Sequence, residues 1–392
     1  MVPLLMLLLV LEIGISFFSP LLPQVQEEFR VSAGKVALVL AIYNGIRLLF
    51  NMPLSRYVAR AALPSVLAIG GGILGLGGLV VAFAPTFAFV LVGRAIMGLG
   101  SATFILAVHF WLARVATPET KVRLFSYHQI VGIAGSALGP ALGGIVAGWF
   151  SWRHAQALAV IAGVATLIAG RRLPYPAARL TDPGTALPAG GGRVSYREVA
   201  SAGMAMLGFI FFYGAVTATV VPLFAARTLH MGPAAIGGIL MLGTVQRFAA
   251  AMVGGRLVTR FGTRRVVVGG LAALALSALS FLAVTEPIGL IVAVSLISWA
   301  NLGGSFVIAM LTDRIPEAHW GTALGMNRSM GDAGGLVAPL LSGFVIDRYG
   351  FDAAFVVTTG VVLISAVTAA ILTAAPPQKV ESLAKGGVPG DS

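Results

Sequence analysis

Eight ionisable side chains lie inside long apolar stretches of this chain, and they are the residues whose chemistry the sequence singles out first. They comprise two carboxylic acids, four arginines and two histidines: Glu12, Asp332, Arg47, Arg94, Arg247, Arg328, His109 and His128. An ionised group in hydrocarbon is costly, so side chains of this kind mark proton or ligand sites by default. Carboxyl and imidazole groups can exchange protons, whereas guanidinium groups can bind anions through paired hydrogen bonds.

Glu12 is the first candidate for proton exchange. It shares one face of its predicted helix with Ser16 and Ser19, and Pro20 can loosen the helix nearby. An apolar cavity disfavours the charged form of a carboxyl group, so such a group can take up and release a proton near neutral pH. The alternative is that Glu12 is a permanent counter-ion of Arg47 or Arg94.

Asp332 is the second candidate proton site. It follows Arg328 by four residues on the same predicted helix, which is close enough for the two charges to neutralise each other. This spacing predicts a structural ion pair first, and a pair that opened on ligand binding would act as a switch. Arg328 and His128 are further candidate ligand-binding residues, although a lone histidine on an apolar helix is more often a hydrogen-bonded packing residue.

Arg47 and Arg247 are candidate anion ligands. Asn44 and Asn51 stand three and four residues to either side of Arg47, on one stripe of a helix, and Thr244 stands one turn before Arg247. Planar guanidinium donors match the oxygen pairs of carboxylate, phosphate or nitrate. The alternative is that each arginine caps a backbone break or pairs with a carboxylate in its own half of the chain.

Membrane helices must position these residues. Of the 392 residues, 58% are hydrophobic and 10% are charged, a composition too apolar for one soluble domain. A helix of about 20 apolar residues can cross the hydrocarbon core. Twelve such segments are predicted, at 3–25, 34–55, 63–84, 87–113, 122–149, 153–170, 198–226, 234–258, 264–284, 287–311, 321–346 and 352–374.

The net charge of +12 is explained by topology. If both termini are cytoplasmic, the inner loops hold Arg56, Arg60, Arg114, Lys121, Arg123, Arg171, Arg172, Arg179, Arg193, Arg197, Arg256, Arg260, Arg264, Arg265 and Arg314. The outer loops then hold Arg30, Lys35, Arg153, Arg227 and Arg348. This asymmetry follows the positive-inside rule and predicts a multi-pass protein of the inner or plasma membrane with cytoplasmic termini. A nucleic-acid partner is not expected, because no aromatic residues interleave with the basic ones.

The chain also consists of two similar halves. Arg47, Arg56 and Arg60 recur as Arg247, Arg256 and Arg260, each displaced by 247 − 47 = 200 residues. We therefore predict an all-α membrane protein with an N-terminal six-helix bundle at 1–170 and a C-terminal one at 198–374. A linker rich in Pro and Gly joins them at 171–197, and a disordered cytoplasmic tail follows at 375–392. Such repeats build transporters whose halves rock about a site near the midplane.

Three motifs resemble those of one family. The glycine motif of the fifth span runs from Gly135 to Gly144 and includes Gly139, Pro140 and Gly143, and it resembles the G-x-x-x-G-P-x-x-G-G motif of antiporters. Arg94 and Gly98 resemble the R-x-x-x-G motif. The segment Gly255-Arg-Leu-Val-Thr-Arg260-Phe-Gly262 resembles the loop motif G-x-L-a-D-r-x-G, with Thr259 at the acidic position. With twelve spans in two halves, the whole chain resembles the major facilitator superfamily.

That resemblance implies several roles. It implies two pseudo-symmetric bundles that alternate in access, a proton-coupling role for Arg94, and gating roles for the glycine and loop motifs. It also implies that Arg47 and Arg247 face one central cavity, as in the nitrate/nitrite branch, and that four polar and aromatic residues line that cavity: Tyr213, Thr217, Trp299 and Asn301.

The expected function is proton-coupled antiport that exports a small amphiphilic or drug-like solute, by a monomer in the lipid bilayer. The alternatives are an anion carrier using Arg47 and Arg247, or a non-transporting receptor or scaffold. An enzyme is not expected, because the sequence has no phosphate-binding loop and no H-E-x-x-H motif, and without cysteine it can form no thiolate metal site. No cofactor or metal is predicted.

Overall fold

Twelve helical spans make up the part of the chain that the computed structural model describes, which is residues 2–58, 60–115, 118–173, 196–313, 315 and 320–374. The first ten are α1 (Val2–Phe29), α2 (Ala33–Val58), α3 (Leu63–Ala82), α4 (Phe87–Val115), α5 (Pro118–Trp149), α6 (Trp152–Gly170), α7 (Tyr196–Arg227), α8 (Pro233–Phe261), α9 (Thr263–Ala283) and α10 (Pro287–Thr312). A final helical run, Trp320–Ala374, is broken at Gly350, where φ is 85° and ψ is −178°. This break separates α11 (320–349) from α12 (351–374).

The predicted twelve-helix membrane fold is confirmed. Eleven helices of the described residues are long and apolar enough to cross a membrane, and the last of them spans 50 residues, which accounts for both α11 and α12. Most of the predicted linker, from 174 to 195, and the whole predicted tail lie outside the described residues. We call the end of the bundle where α6 ends and α7 begins the linker face, and the opposite end the far face.

Three of the spans are interrupted by a 3₁₀ or π segment, and α9 ends in a 3₁₀ segment at Ala278–Ala283. α1 passes through a 3₁₀ turn at Ser19–Leu21, where Pro20 lacks the N–H that an α-helix would use. α7 widens into a π-helix at Tyr213–Val220, and α10 tightens into a 3₁₀ segment at Asn301–Phe306. Such departures are frequent at functional sites and hinges. Two of the three include or adjoin residues of the cavity described below.

The two halves meet along two seams, which we name by their helices. In the α2–α11 seam, Asp347 of α11 accepts hydrogen bonds from the backbone N–H groups of Ala33 and Gly34, both at 2.8 Å. In the α5–α8 seam, Gly144 lies so close to α8 that an added Cβ would stand 3.2 Å from the Cα of Gly237. These contacts close the space between the halves at the far face.

Toward the linker face the halves separate. An added Cβ at Gly132 of α5 or at Gly325 of α11 would meet no atom within 4 Å. The side chain of Arg328, which lies well inside its span, is 50% exposed. The space between the halves therefore opens at the linker face.

Candidate functional site

Asp332 is the centre of a polar cluster between the halves. Its Oδ1 lies 3.9 Å from Nη2 of Arg47, and its Oδ2 lies 3.6 Å from Nε of Arg328. Asn51 donates a hydrogen bond of 2.8 Å to the same Oδ2. The Asp332 side chain is 9% exposed. It forms ion pairs with two arginines, one from each half. The pair expected from spacing, Arg328 with Asp332, is present, and Arg47 has a carboxylate partner in the opposite half rather than in its own.

Glu12 lies at a close contact between α1 and α5. An added Cβ at Gly135 would overlap the Cβ of Glu12, so only glycine fits there. The Oγ of Ser16 donates to the carbonyl oxygens of Glu12 and Gly135, at 2.8 and 3.0 Å, and thereby fixes this crossing. Among the described residues Glu12 has no ion-pair partner, although the charges of Arg47 and Arg328 act on its carboxyl group. The backbone of Glu12 is therefore fixed at this crossing, and its carboxyl group lies within electrostatic range of two arginines.

The two histidines adjoin this cluster. The rings of His109 and His128 lie 4.9 Å apart between α4 and α5. The Nε2 of His128 is buried and has no hydrogen-bond partner within the described part of the chain, and the charge of Arg328 acts on the ring. Because buried polar atoms are nearly always satisfied, an unpartnered ring nitrogen indicates a position that a ligand or water can occupy.

Asn44 belongs to the α2–α11 seam. Its Nδ2 donates to the carbonyl oxygens of Leu40 and Gly335, at 3.0 and 3.1 Å. Both of its N–H donors are therefore engaged by backbone. The polar stripe predicted on α2 is present, but the contacts of Asn44 and Asn51 are with α11.

A second polar cavity lies within the C-terminal half and contains Arg247. Its volume is about 20 Å³, which is room for one water molecule. The lining includes Thr217, Thr244, Ser298 and Asn301, and the guanidinium of Arg247 lies 5.2 Å from the ring centroid of Tyr213. Thr244 and Ser298 donate their hydroxyl protons to their own helices, at 2.9 and 2.6 Å. Arg247 has no ion pair with a described residue, so its donors are available to a ligand.

The structure does not bring every candidate together. Arg47 is engaged by Asp332, whereas Arg247 lies in the separate cavity just described, so the two guanidinium groups do not share one set of contacts. Trp299 is 43% exposed and does not line the Arg247 cavity.

Arg94 is buried in the N-terminal half, with 1% of its surface exposed. Its Nε donates to the carbonyl oxygen of Val39 at 3.2 Å. Its guanidinium lies 4.5 Å from the ring centroid of Phe18 and 4.6 Å from that of Tyr43. Cation–π contacts and a backbone carbonyl thus replace a carboxylate partner among the described residues, and Arg94 joins α1 and α2 to α4.

The motif residues serve close packing. Gly135, Gly139 and Gly143 face α1, while Gly144 and the carbonyl of Pro140 face α8. In the loop motif, Gly262 has a φ of 83° and joins α8 directly to α9, a conformation that suits glycine. Arg260 lies 5.2 Å from the ring centroid of Phe261, and an added Cβ at Gly255 would lie 3.9 Å from the ring of Phe306.

Three polar residues escape the sequence patterns. Asp347 spans the α2–α11 seam, and the buried side-chain oxygens of Gln246 and Asn327 find no hydrogen-bond partner among the residues that the structure describes. Each of these two stands one residue before a candidate arginine, so it faces another side of its helix. A search limited to ionised residues could not find the two amides. Asp347 did carry a signal, because it follows Gly343, at the end of the glycine motif's second copy, by four residues.

Comparison with known proteins finds one family model that matches most of the chain. A family model, that of the Major Facilitator Superfamily, matches residues 4–245 and 201–389. The bacillibactin exporter of Bacillus subtilis is 28% identical over 155 residues, and the multidrug efflux pump LfrA of Mycolicibacterium smegmatis is 27% identical over 164 residues. These matches cover 36% and 42% of this chain, and only 37% and 32% of the lengths of those relatives.

One relative matches over most of its length. The class H tetracycline resistance protein of Pasteurella multocida is 23% identical over 356 residues, which is 88% of this chain and 87% of that protein. Among solved structures, a bacterial homologue of the human lysosomal transporter Spinster has a TM-score of 0.76 at 12% identity, with 95% of each chain covered. A peptide transporter in complex with sulfate has a TM-score of 0.75 at 14% identity, covering 95% of this chain and 93% of that one. These structural matches support the fold.

Proposed function

Because the chain belongs to the Major Facilitator Superfamily, whose curated members matched here are transporters and not enzymes, we propose that it exports a small amphiphilic solute by proton-coupled antiport. The observation that carries this proposal is a carboxyl group, Glu12, without an ion-pair partner among the described residues, beside a charge cluster joining the two halves. Three relatives are named an exporter, an efflux pump and a resistance protein, which favours export.

The orientation follows from the basic loops. The linker face carries the larger number of arginines, so it is the cytoplasmic side in this proposal, as are both termini. The space between the halves, which opens at the linker face, is then accessible from the cytoplasm. A solute to be exported would enter there.

Exchange at Glu12 supplies the coupling. A buried carboxylate is costly unless a proton or a compensating group neutralises it. Solute entering beside Arg47 and Arg328 would displace the proton from Glu12, and a proton arriving from the far face would displace the solute. Between these events the halves rock, so the α2–α11 seam must break at the far face.

The test is Glu12→Gln in the purified protein reconstituted into vesicles with a pH gradient. We expect proton-driven solute flux to be lost, because an amide cannot exchange a proton, while equilibrium solute binding by thermal shift persists. Glu28→Gln is the matched control, since Glu28 is on the same span but pairs with Arg153 at 2.6 Å near the far face. Proton-driven flux that is unchanged in Glu12→Gln would remove Glu12 from the mechanism, and a wild-type protein that moves no solute at all would support a scaffold instead.

The Arg247 cavity favours a second candidate, an anion carrier. Among the described residues its guanidinium has no ion-pair partner, and the cavity lining combines hydroxyl and amide groups with apolar side chains and contains no carboxylate. The cavity has room for one water molecule in this structure, so it would have to widen to admit an anion. A thermal-shift screen of the wild type against anions, cations and neutral amphiphiles separates the two proposals, because a ligand of the native state raises its apparent stability. Hits confined to anions, and lost in Arg247→Gln, would favour the anion carrier.

A further inference from the structure

One cavity of this protein lies outside the space between the halves. It is a crevice of about 560 Å³ between the end of α2 and the start of α3, at the linker face. Eight residues line it: Arg56, Tyr57, Arg60, Ala61, Ala62, Ser65, Val66 and Ile69. We name it the α2–α3 crevice.

The polar end of this crevice is suited to an anion. Arg56 lies in the last turn of α2 and Arg60 lies two residues beyond its end; both are exposed, and neither forms an ion pair with a described residue. The first turn of α3 also faces the crevice, and no side chain caps it. Two guanidinium groups and the N–H groups of a helix start together provide donors and positive potential for a phosphate group.

The apolar end of the crevice continues along the outside of α3. Ile69 is 43% exposed, and Leu76, which lies seven residues further on the same face, is 54% exposed. Tyr57, on the opposite wall, is 60% exposed. Because α3 crosses the membrane, this apolar face runs from the bilayer surface toward its centre. An anion site at the surface that continues into an apolar groove matches the shape of a phospholipid.

We propose that the α2–α3 crevice binds an anionic phospholipid of the leaflet at the linker face, with Arg56 and Arg60 on the phosphate and the acyl chains along Ile69 and Leu76. Each basic residue at a membrane surface strengthens the binding of anionic lipids roughly fivefold, and pockets lined by such residues select anionic headgroups. A free phosphate would use the same donors but would gain nothing from the apolar wall. The occupant is therefore a lipid.

The duplication of the chain provides a matched control. Arg256 and Arg260 are the counterparts of Arg56 and Arg60, are also exposed at the linker face, and are not among the residues that line the α2–α3 crevice. Arg56→Gln/Arg60→Gln and Arg256→Gln/Arg260→Gln remove the same charge from the same face. The test compares the full-length wild type and both double variants in detergent.

Native mass spectrometry measures the affinity of each protein for phosphatidylglycerol and for phosphatidylcholine with identical chains. The wild type should prefer phosphatidylglycerol, and Arg56→Gln/Arg60→Gln should lose that preference by roughly ten- to thirtyfold, while the control retains it. An unchanged preference in Arg56→Gln/Arg60→Gln, or an equal loss in both variants, would overturn the proposal. Displacement of phosphatidylglycerol by millimolar inorganic phosphate would assign the site to a soluble anion and would also overturn it.

Ile69→Gln should weaken binding of both lipids, because it interrupts the apolar wall; unchanged binding there would contradict the acyl-chain placement.

Discussion

The two seams between the halves occupy equivalent places in the repeat but are built differently. Gly144 of α5 corresponds to Gly343 of α11, at a displacement of 343 − 144 = 199 residues. Each glycine lets a helix of the other half approach closely: Gly144 faces Gly237, and an added Cβ at Gly343 would lie 2.8 Å from the Cα of Gly34. The close crossing is therefore shared by both seams.

The seams differ in their polar contacts. In the α2–α11 seam, Asp347, Asn44 and Asp332 form hydrogen bonds or ion pairs between the halves, from the far face to the middle of the membrane. At the place of Asp347, α5 has Gly148, and an added Cβ there would meet only Ala234, at 3.4 Å. The α2–α11 seam is thus bonded, meaning that hydrogen bonds and ion pairs cross it. In its described residues, the α5–α8 seam is smooth, meaning that small residues pack closely there. We infer that the α2–α11 seam determines which state is stable, and the α5–α8 seam allows the halves to move.

The largest test of this difference removes Asp332. Asp332→Ala would leave Arg47 without its partner at a site where the aspartate is 9% exposed. We expect the free energy of unfolding in detergent to fall by about 3 kcal/mol, because a buried charge loses its compensation. Arg247→Gln, in the same half as Asp332 but on α8, should change it by less than about 1 kcal/mol, since that arginine has no ion pair with a described residue to lose.

A double variant tests whether the pair is the cause. Arg47→Gln/Asp332→Ala removes the unpaired cation and should recover part of the lost stability. Additive losses in the double variant would mean that Arg47 and Asp332 do not interact energetically. The bonded character of the α2–α11 seam would then rest on its amide and backbone contacts.

The sequence identifies the spans and the charged residues but not the partners across the seams. Local spacing predicts the Arg328–Asp332 pair, because four residues make one helical turn. Asp332 and Arg47 are 332 − 47 = 285 residues apart, and no local pattern reports which half supplies a partner. For the same reason the sequence alone does not show that Asp347 caps a helix of the other half.

Irregular helices limit the prediction of the site in a second way. A period of 3.6 residues places Tyr213 and Thr217 one turn apart, but the segment that holds them is a π-helix with a wider turn. In α10 the 3₁₀ segment begins at Asn301, directly after the regular helix that carries Trp299. Asn301 lines the Arg247 cavity and Trp299 does not. Face assignments that assume a regular helix fail at such junctions.

One added methyl group at the α5–α8 crossing tests how closely the helices of this smooth seam must pack. At Gly144 an added Cβ would stand 3.0 Å from the carbonyl carbon of Pro233 in α8, so Gly144→Ala should disfavour far-face closure by about 2 kcal/mol. Gly148→Ala, one turn further along the same helix, meets only an ordinary contact and is the control. The readout is the labelling rate of a single cysteine introduced at the far face, which is straightforward in a chain that has no cysteine. Equal labelling in both variants would show that the α5–α8 crossing does not limit closure.

Arg247 and Arg47 provide a comparison of ligand binding. Arg247→Gln should weaken binding of a carboxylate ligand by roughly tenfold, which is about 1.4 kcal/mol, because its donors are free. Arg47→Gln should change that affinity much less, because its guanidinium already faces Asp332. Calorimetric titration of both variants with the same anion checks this. A larger loss in Arg47→Gln would place the anion in the seam instead of the Arg247 cavity.

The smallest effect is expected at the far-face end of the bonded seam. Asp347 caps the start of α2 from the opposite half, so its loss affects the closed state while leaving each half folded. Loss of a helix cap costs about 1 kcal/mol, which corresponds to roughly fivefold in the ratio of closed to open far face. Asp347→Gly, which copies the residue that α5 has at this place, should therefore speed labelling of a far-face cysteine by about that factor, whereas the free energy of unfolding should fall by no more than about 1 kcal/mol. If Asp347→Gly instead lowers stability without changing access, the carboxylate supports the fold of its own half, and the two seams differ in sequence without differing in function.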